Sequence, residues 1–311
     1  MATLLHHHGA PVSEAVAFGL SSALTFAYLP FVKVGGRPLI AYRMPPKAII
    51  KGLAQPFAAR MRFETFRSPA AGERRLNALL ASGKLVGLQT SVYWLPYFPP
   101  EMRFHFNAHN LLVYGRDGDD YLISDPVTEV VVRCPAADLA RARFARGLLA
   151  PKGLLYTLDA LQRPEPPPAV WRAAIRKTAR QMLAPIPIVG VRGIHTLARR
   201  VARLPVDAPE SLAWVGHIVR MQEEIGTGGA GFRFLYAAFL QEAAVAAECP
   251  ALNPLADRLL EIGDGWREFA LRAARMIRAR EAFDPGLLAQ RLHALAERER
   301  ALFLALRAAV A

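Results

Sequence analysis

Cysteine is almost absent from this chain. Of 311 residues only Cys134 and Cys249 carry thiols, and they fall in different halves of the sequence. That excludes a disulfide framework and makes a reducing cytoplasm the expected compartment. No apolar run reaches membrane-spanning length; the longest candidate, around Pro185 to Val191, is short and broken by prolines. The N-terminus has no basic segment followed by an apolar one, so no signal peptide is expected. Gly-x-x-x-x-Gly-Lys is missing, which excludes a P-loop. The two cysteines have no partners at zinc-ligand spacing, and no metal site is expected. Lysine is scarce too, six of 39 Lys+Arg. Net charge is +13, with 19 Lys+Arg against 11 Asp+Glu in residues 1–163 and 20 against 15 beyond. An excess spread over both halves argues against a nucleic-acid stripe and suits an acidic partner or an anionic ligand.

What is present reads as two regions. Hydrophobic content of 53% with 21% charged residues is globular. The first region mixes short helices and strands. Ser13 starts a short helix, and Lys47 to Phe57 and Ser68 to about Ser82 are further helices. Strand-like runs cover 24–28, 38–42, 61–66, 85–90, 107–114, 121–124, 129–133 and 153–158. Arg163-Pro-Glu-Pro-Pro-Pro168 is a stiff linker. Beyond it the spacing predicts helices over 169–183, 191–203, 208–225, 232–248, 253–280 and 285–309, with a break or kink at Gly263 and Gly265. The expected architecture is α+β over residues 1–163, then an all-α domain over 164–311.

Chemistry concentrates in the hairpin from His109 to Pro126, whose Arg116-Asp-Gly-Asp-Asp120 turn joins two strands. It puts a histidine at the start of one strand and Asp125 after the end of the next, at the same end of the sheet. An aspartate that holds a histidine is two thirds of a nucleophilic triad. The same residues also suit a strand-end histidine and an aspartate capping a turn before Pro126. Gln89 ends the preceding strand, where its amide could serve an oxyanion or merely close a strand. Tyr93, Trp94, Tyr97 and Phe98 follow in a loop that could wall a pocket or simply pack.

Glu223 to Arg233 is glycine-rich and lies between two predicted helices. Backbone amides near Gly228 and Gly229, with Arg233 in the first helical turn, could bind an anion; tight helix packing explains the glycines equally. His6, His7 and His8 are adjacent, cannot face one metal together, and read as a helix end before Gly9.

Three segments carry a resemblance. Leu4-Leu-His-His-His-Gly9, Ser13-Glu14 and Phe18-Gly-Leu-Ser-Ser-Ala-Leu-Thr-Phe-Ala-Tyr28 look like the opening of the butirosin biosynthesis protein H N-terminal family. His109 to Pro126 resembles the His–Asp half of that family and of papain-like peptidases. Gly226-Thr-Gly-Gly-Ala-Gly-Phe-Arg-Phe-Leu-Tyr236, with Phe239-Leu-Gln-Glu-Ala243, resembles the helical domain that commonly follows. The resemblance implies a papain-like cysteine-peptidase-type fold turned to acyl transfer in secondary metabolism. An acyl or aminoacyl group would move from a phosphopantetheine-borne thioester on an acidic acyl carrier protein to a small-molecule amine or hydroxyl, with no bound cofactor. His109 would shuttle the proton and Asp125 orient it. The sequence departs from the family twice. The family's cysteine would fall a few residues upstream of Met1, and Ser21-Ser-Ala23 stands where the family has a glycine-rich turn. Neither Cys134, Cys249, Ser21 nor Ser22 is expected to replace that cysteine. A catalytically inactive protein that docks a carrier protein or biosynthetic enzyme is the other reading.

Overall fold

The computed structural model describes residues 1–34, 36–225 and 229–311. In chain order, α1 (Ala2–His7) and α2 (Glu14–Leu20) precede an antiparallel pair, β1 (Leu24–Val34) and β2 (Arg37–Arg43). Then come α3 (Pro46–Gly52), β3 (Ala59–Glu64), α4 (Pro69–Ala81), β4 (Val86–Thr90), β5 (His109–Asp117), β6 (Asp120–Ser124), β7 (Val132–Pro135), α5 (Ala136–Arg143) and β8 (Leu155–Leu161). Helices α6 (Pro168–Met182), α7 (Gly190–Val201), α8 (Pro209–Glu223), α9 (Arg233–Ala246), α10 (Leu252–Ile277) and α11 (Pro285–Ala309) complete the chain. It is a mixed α and β protein. No helix among the described residues is long and apolar enough to cross a membrane.

Two compact units form. The first comprises Met1–Val12 and Pro45–Glu165, the second Ser13–Met44 and Pro166–Ala311. The linker therefore divides the chain two residues beyond the expected boundary at 163. Residues 13–44, however, belong with the helices rather than with the sheet. The cause is apolar burial. Phe26 on β1 packs against Tyr42 and Trp266, and Phe18 on α2 stacks on Phe232 at 5.3 Å. These rings are buried to 7% exposure or less, and each such side chain contributes roughly 1.5–3 kcal/mol.

The first unit is built on a six-stranded antiparallel sheet in the order β3-β8-β4-β5-β6-β7. Strand alternation sends Val86, Leu88, Leu111, Val113 and Ile123 to one face. There they meet Leu76 and Leu79 of α4 and Leu139 and Ala142 of α5 in one buried cluster. The β5–β6 turn runs through Gly118, whose φ of +58° suits the Asp-Gly signal that marks it in the sequence. Ser68 caps α4 through Ala71 N at 3.3 Å.

In the second unit α10 runs unbroken from Leu252 to Ile277, so the expected kink is absent. A Cβ on Gly263 would stand 2.6 Å from the Phe234 ring. The glycine serves close approach of α9, not a bend. Ser13 caps α2 as its residue type suggests, accepting from Val16 N at 3.0 Å.

Helices α7 and α11 meet at a polar cluster. The Nδ1 atoms of His195 and His293 lie 2.7 Å apart, and His195 Nε2 is 2.9 Å from Glu297 Oε1. Burial, with the nearby His195 and Arg199, lowers the His293 pKa. Burial also lowers that of His217, against the hydrogen bond to Pro38 O. A histidine depressed in the folded state favours folding above its unfolded value, about 6.5, and loses that contribution as pH falls. Thermal unfolding should therefore start at lower temperature at pH 5.5 than at pH 7.5, and His293→Gln should narrow the gap. Equal unfolding temperatures at both pH values would contradict this assignment.

Candidate functional site

The register of the sheet explains how His109 and Asp125 meet. Thr90 pairs with His109, Leu88 with Leu111, and Val86 with Val113, so these six share one face of the sheet. Leu112 pairs with Ser124 on β6. One residue further, Asp125 falls opposite Leu111, on the same face as His109 and diagonal to it. Long side chains reach across such a diagonal. His109 Nε2 lies 2.6 Å from Asp125 Oδ2, with the aspartate side chain wholly buried. A carboxylate only accepts, so Nε2 carries the proton and Nδ1 is left as the acceptor of the neutral ring. No other hydrogen bond reaches the His109 ring among the described residues. This is the reverse of the serine-protease arrangement, in which the aspartate takes Nδ1.

Two more donors complete Asp125. Tyr97 OH donates to the same Oδ2 at 2.7 Å, and Val127 N donates to Oδ1 at 3.0 Å. The turn before Pro126 is thus real, and one carboxylate does both jobs. Phe98 stands edge-on to the imidazole at 5.5 Å. Arg103 ties the loop down, donating from Nε to Phe98 O at 2.7 Å and from Nη2 to Pro96 O. Tyr97 sits between those two carbonyls. The sequence marks it only as one aromatic among four. Burial, with the charge of Asp125, raises the Tyr97 pKa far beyond the usual range, so the phenol stays a donor.

Gln89 does not join this group. It pairs with Asn110, so its side chain leaves the opposite face of the sheet from His109. Both amide protons are committed, to Asn107 O at 2.8 Å and Leu149 O at 2.9 Å. The expected oxyanion donor is instead a clamp on the loop after α5, because sheet parity reverses at every residue.

The four residues weighed in the sequence as replacements for the upstream cysteine, Cys134, Cys249, Ser21 and Ser22, are committed elsewhere. Cys134 lies in the sheet cluster with no exposure, and burial pushes its thiol up to about 12. That suits a packing residue, not a nucleophile. Cys249, Ser21 and Ser22 belong to the second unit. Ser21 Oγ donates to Phe18 O at 2.8 Å and Ser22 Oγ to Ala174 O at 3.3 Å. Ser22 also holds φ at +55°, a left-handed value that a glycine adopts at lower cost. Among the described residues no three His, Cys, Asp or Glu side chains gather as metal ligands would.

The glycine-rich segment reads differently in the structure. Gly228 lies outside the described residues. Next to Gly229, Ala230 N donates to Glu223 at 3.1 Å. An amide already facing a carboxylate does not await an anion. Arg233 does start α9, but it is fully buried and bidentate on Glu299, at 2.9 Å and 3.0 Å. Its third contact is Gly231 O at 2.7 Å, and Trp266 Nε1 donates to Glu299 at 2.7 Å. The expected anion grip is an internal ion pair. Loss of one partner strands a buried charge, which costs about 3–5 kcal/mol. Glu299→Leu should lower urea-unfolding stability by that amount, and Arg233→Met with Glu299→Leu should recover most of it. A double variant no more stable than the single one would refute the pairing energy.

Residues 1–126 match the family model described as "Butirosin biosynthesis protein H, N-terminal". Residues 137–306 match the one described as "Domain of unknown function (DUF4872)". No curated protein matches the chain.

Proposed function

Because this chain belongs to the family that joins the butirosin biosynthesis protein H N-terminal region to that domain of unknown function, we propose that it acts as an acyltransferase-like protein of specialised metabolism. The observation that supports this best is the 2.6 Å contact of His109 Nε2 with Asp125, which leaves Nδ1 to take a proton. In this reading the first unit is papain-like, and the nucleophile is a cysteine upstream of Met1, outside this sequence. Its thiol gives its proton to His109 Nδ1. The thiolate attacks the carbonyl of a thioester borne by phosphopantetheine on an acidic acyl carrier protein. A carbon–sulfur bond forms to the enzyme and the carrier's carbon–sulfur bond breaks. The carrier thiol leaves with the proton from His109. An amine or hydroxyl acceptor then attacks the acyl-enzyme, its proton passes to Nδ1, and the enzyme thiol is restored.

The test is an upstream-extended form of the protein incubated with an aminoacyl phosphopantetheine thioester. Mass spectrometry should detect an acyl-enzyme, and His109→Gln should slow its formation by roughly 10²–10⁴-fold. Asp125→Asn should slow it in the same direction. No acyl-enzyme, or an undiminished one in His109→Gln, would sink the catalytic reading.

A second reading, a carrier-docking protein without catalysis, is favoured by the inertness of buried Cys134. Both readings need a surface for an acidic partner, and the charge distribution along the chain supports placing it on one stretch. Between Glu165 and Asp207 the chain has eight Lys+Arg and no Asp or Glu. Helices α6 and α7 fill most of that stretch, and among the described residues no Lys or Arg in it forms an ion pair with a carboxylate. By contrast, Arg267, Arg272, Arg275, Arg291 and Arg298 are all paired. Replacing exposed Arg180, Arg199 and Arg203 by glutamate should weaken binding of an acidic acyl carrier protein about tenfold at low salt. High salt should erase the difference. Titration calorimetry that finds equal affinities at low salt would remove this surface from consideration.

A further inference from the structure

Asp125 is one of two buried carboxylates among the described residues, and its Oδ2 carries an unusual load. His109 Nε2 at 2.6 Å and Tyr97 OH at 2.7 Å both donate to that one oxygen. Oδ1 takes only the Val127 amide. Two donors on one oxygen compete for the same electron density, so each hydrogen bond is weaker than it would be alone. A phenol so buried remains protonated, and a protonated phenol placed there can only donate. The loop that delivers it is held from both sides of Tyr97, since Arg103 donates to the carbonyls of Pro96 and Phe98. The placement is therefore built by a second, independent set of bonds.

We propose that Tyr97 is a positioning residue for His109, acting through Asp125. By sharing Oδ2 it limits how tightly the carboxylate holds the Nε2 proton. The consequence lies in the proton traffic at Nδ1. A carboxylate with a single partner on Oδ2 would draw the Nε2 proton closer and hold the ring's charged form. With the phenol present, the buried charge of Asp125 stays satisfied when His109 gives its Nδ1 proton away. This role rests on the reading of His109 as a proton carrier. Its structural core, competition for one oxygen, is independent of any substrate.

The test uses the full chain labelled with ¹⁵N-histidine. The His109 Nε2 proton is followed by NMR and assigned by its disappearance in His109→Gln. Tyr97→Phe removes the competing donor, so that resonance should move downfield and its exchange with water should slow. Replacing Tyr97 by 3-fluorotyrosine, at that site alone, makes the phenol a stronger donor at nearly unchanged shape. The resonance should then move upfield. A merely structural role predicts the same direction in both variants, or no movement, and either result overturns the proposal. Thermal unfolding checks that each variant is folded. If Tyr97→Phe is not, the sign of the fluorotyrosine shift decides alone. Because no acyl transfer is measured, failure of the acyltransferase reading leaves this outcome untouched, and the reverse holds as well.

Discussion

A carboxylate without access to water has to be given donors, and the first unit is arranged around one such group. Asp125 accepts hydrogen bonds from an imidazole, a phenol and a backbone amide. Each comes from a different segment: the start of β5, the loop after β4, and the turn after β6. A buried, unpaired carboxylate costs several kcal/mol, so these segments hold one another in place. The second unit repeats the principle with a different solution. Glu299 is met by Arg233, charge against charge, and by the Trp266 indole. The difference matters chemically. Glu299 is neutralised by a permanent cation and is inert. Asp125 is met by no Arg or Lys, and one of its donors is a histidine, whose second ring nitrogen can take up and release a proton. Only the second kind of arrangement can take part in proton transfer.

The part of the site that was legible in the sequence is the local part. His109 and Asp125 are 16 residues apart on one hairpin, and the Asp-Gly turn fixes the pairing that joins them. Gln89 failed for a reason equally local but finer. A strand end tells which end of the sheet a residue occupies, and only the register tells which face. Tyr97 was visible as an aromatic, yet nothing in its loop shows that Arg103 folds it back onto Asp125. The helical pattern predicts Arg233 at a helix start, where it lies, but not its internal pairing, because its partner Glu299 is 66 residues away. Long-range pairing of this kind leaves no periodic trace.

The fold shows the same division. Helix and strand periodicity located most elements, with the hairpin and the six C-terminal helices close to their expected spans. The division into units did not follow the linker alone. Residues 13–44 precede the sheet in the chain, and their apolar content does not state what they pack against. Phe18 and Phe26 answer that only in three dimensions, against Phe232 and Trp266. Glycines misled in a similar way. Gly263 in a long helix suggests a kink, but a missing side chain serves a bend and a close contact equally well, and here the Phe234 ring occupies the space.

Charge needs the same finer grain. Divided at residue 163, the excess of cations looks even. Divided by helix, it does not. The stretch from Pro166 to Val206 lacks carboxylates, while Arg267, Arg272 and Arg275 of α10 and Arg291 and Arg298 of α11 each pair with a glutamate. Internal duties take some of the unpaired cations. Arg172 donates to Ala247 O at 2.9 Å, beyond the C-terminus of α9, where a positive charge opposes the helix dipole. Arg176 reaches Val310 O at the end of α11. Those two stabilise the fold. Lys177, Arg180 and Arg203 are exposed and have no such duty among the described residues. Cations that stabilise nothing internal and repel one another carry an electrostatic cost, and an acidic surface laid against them is what would offset it.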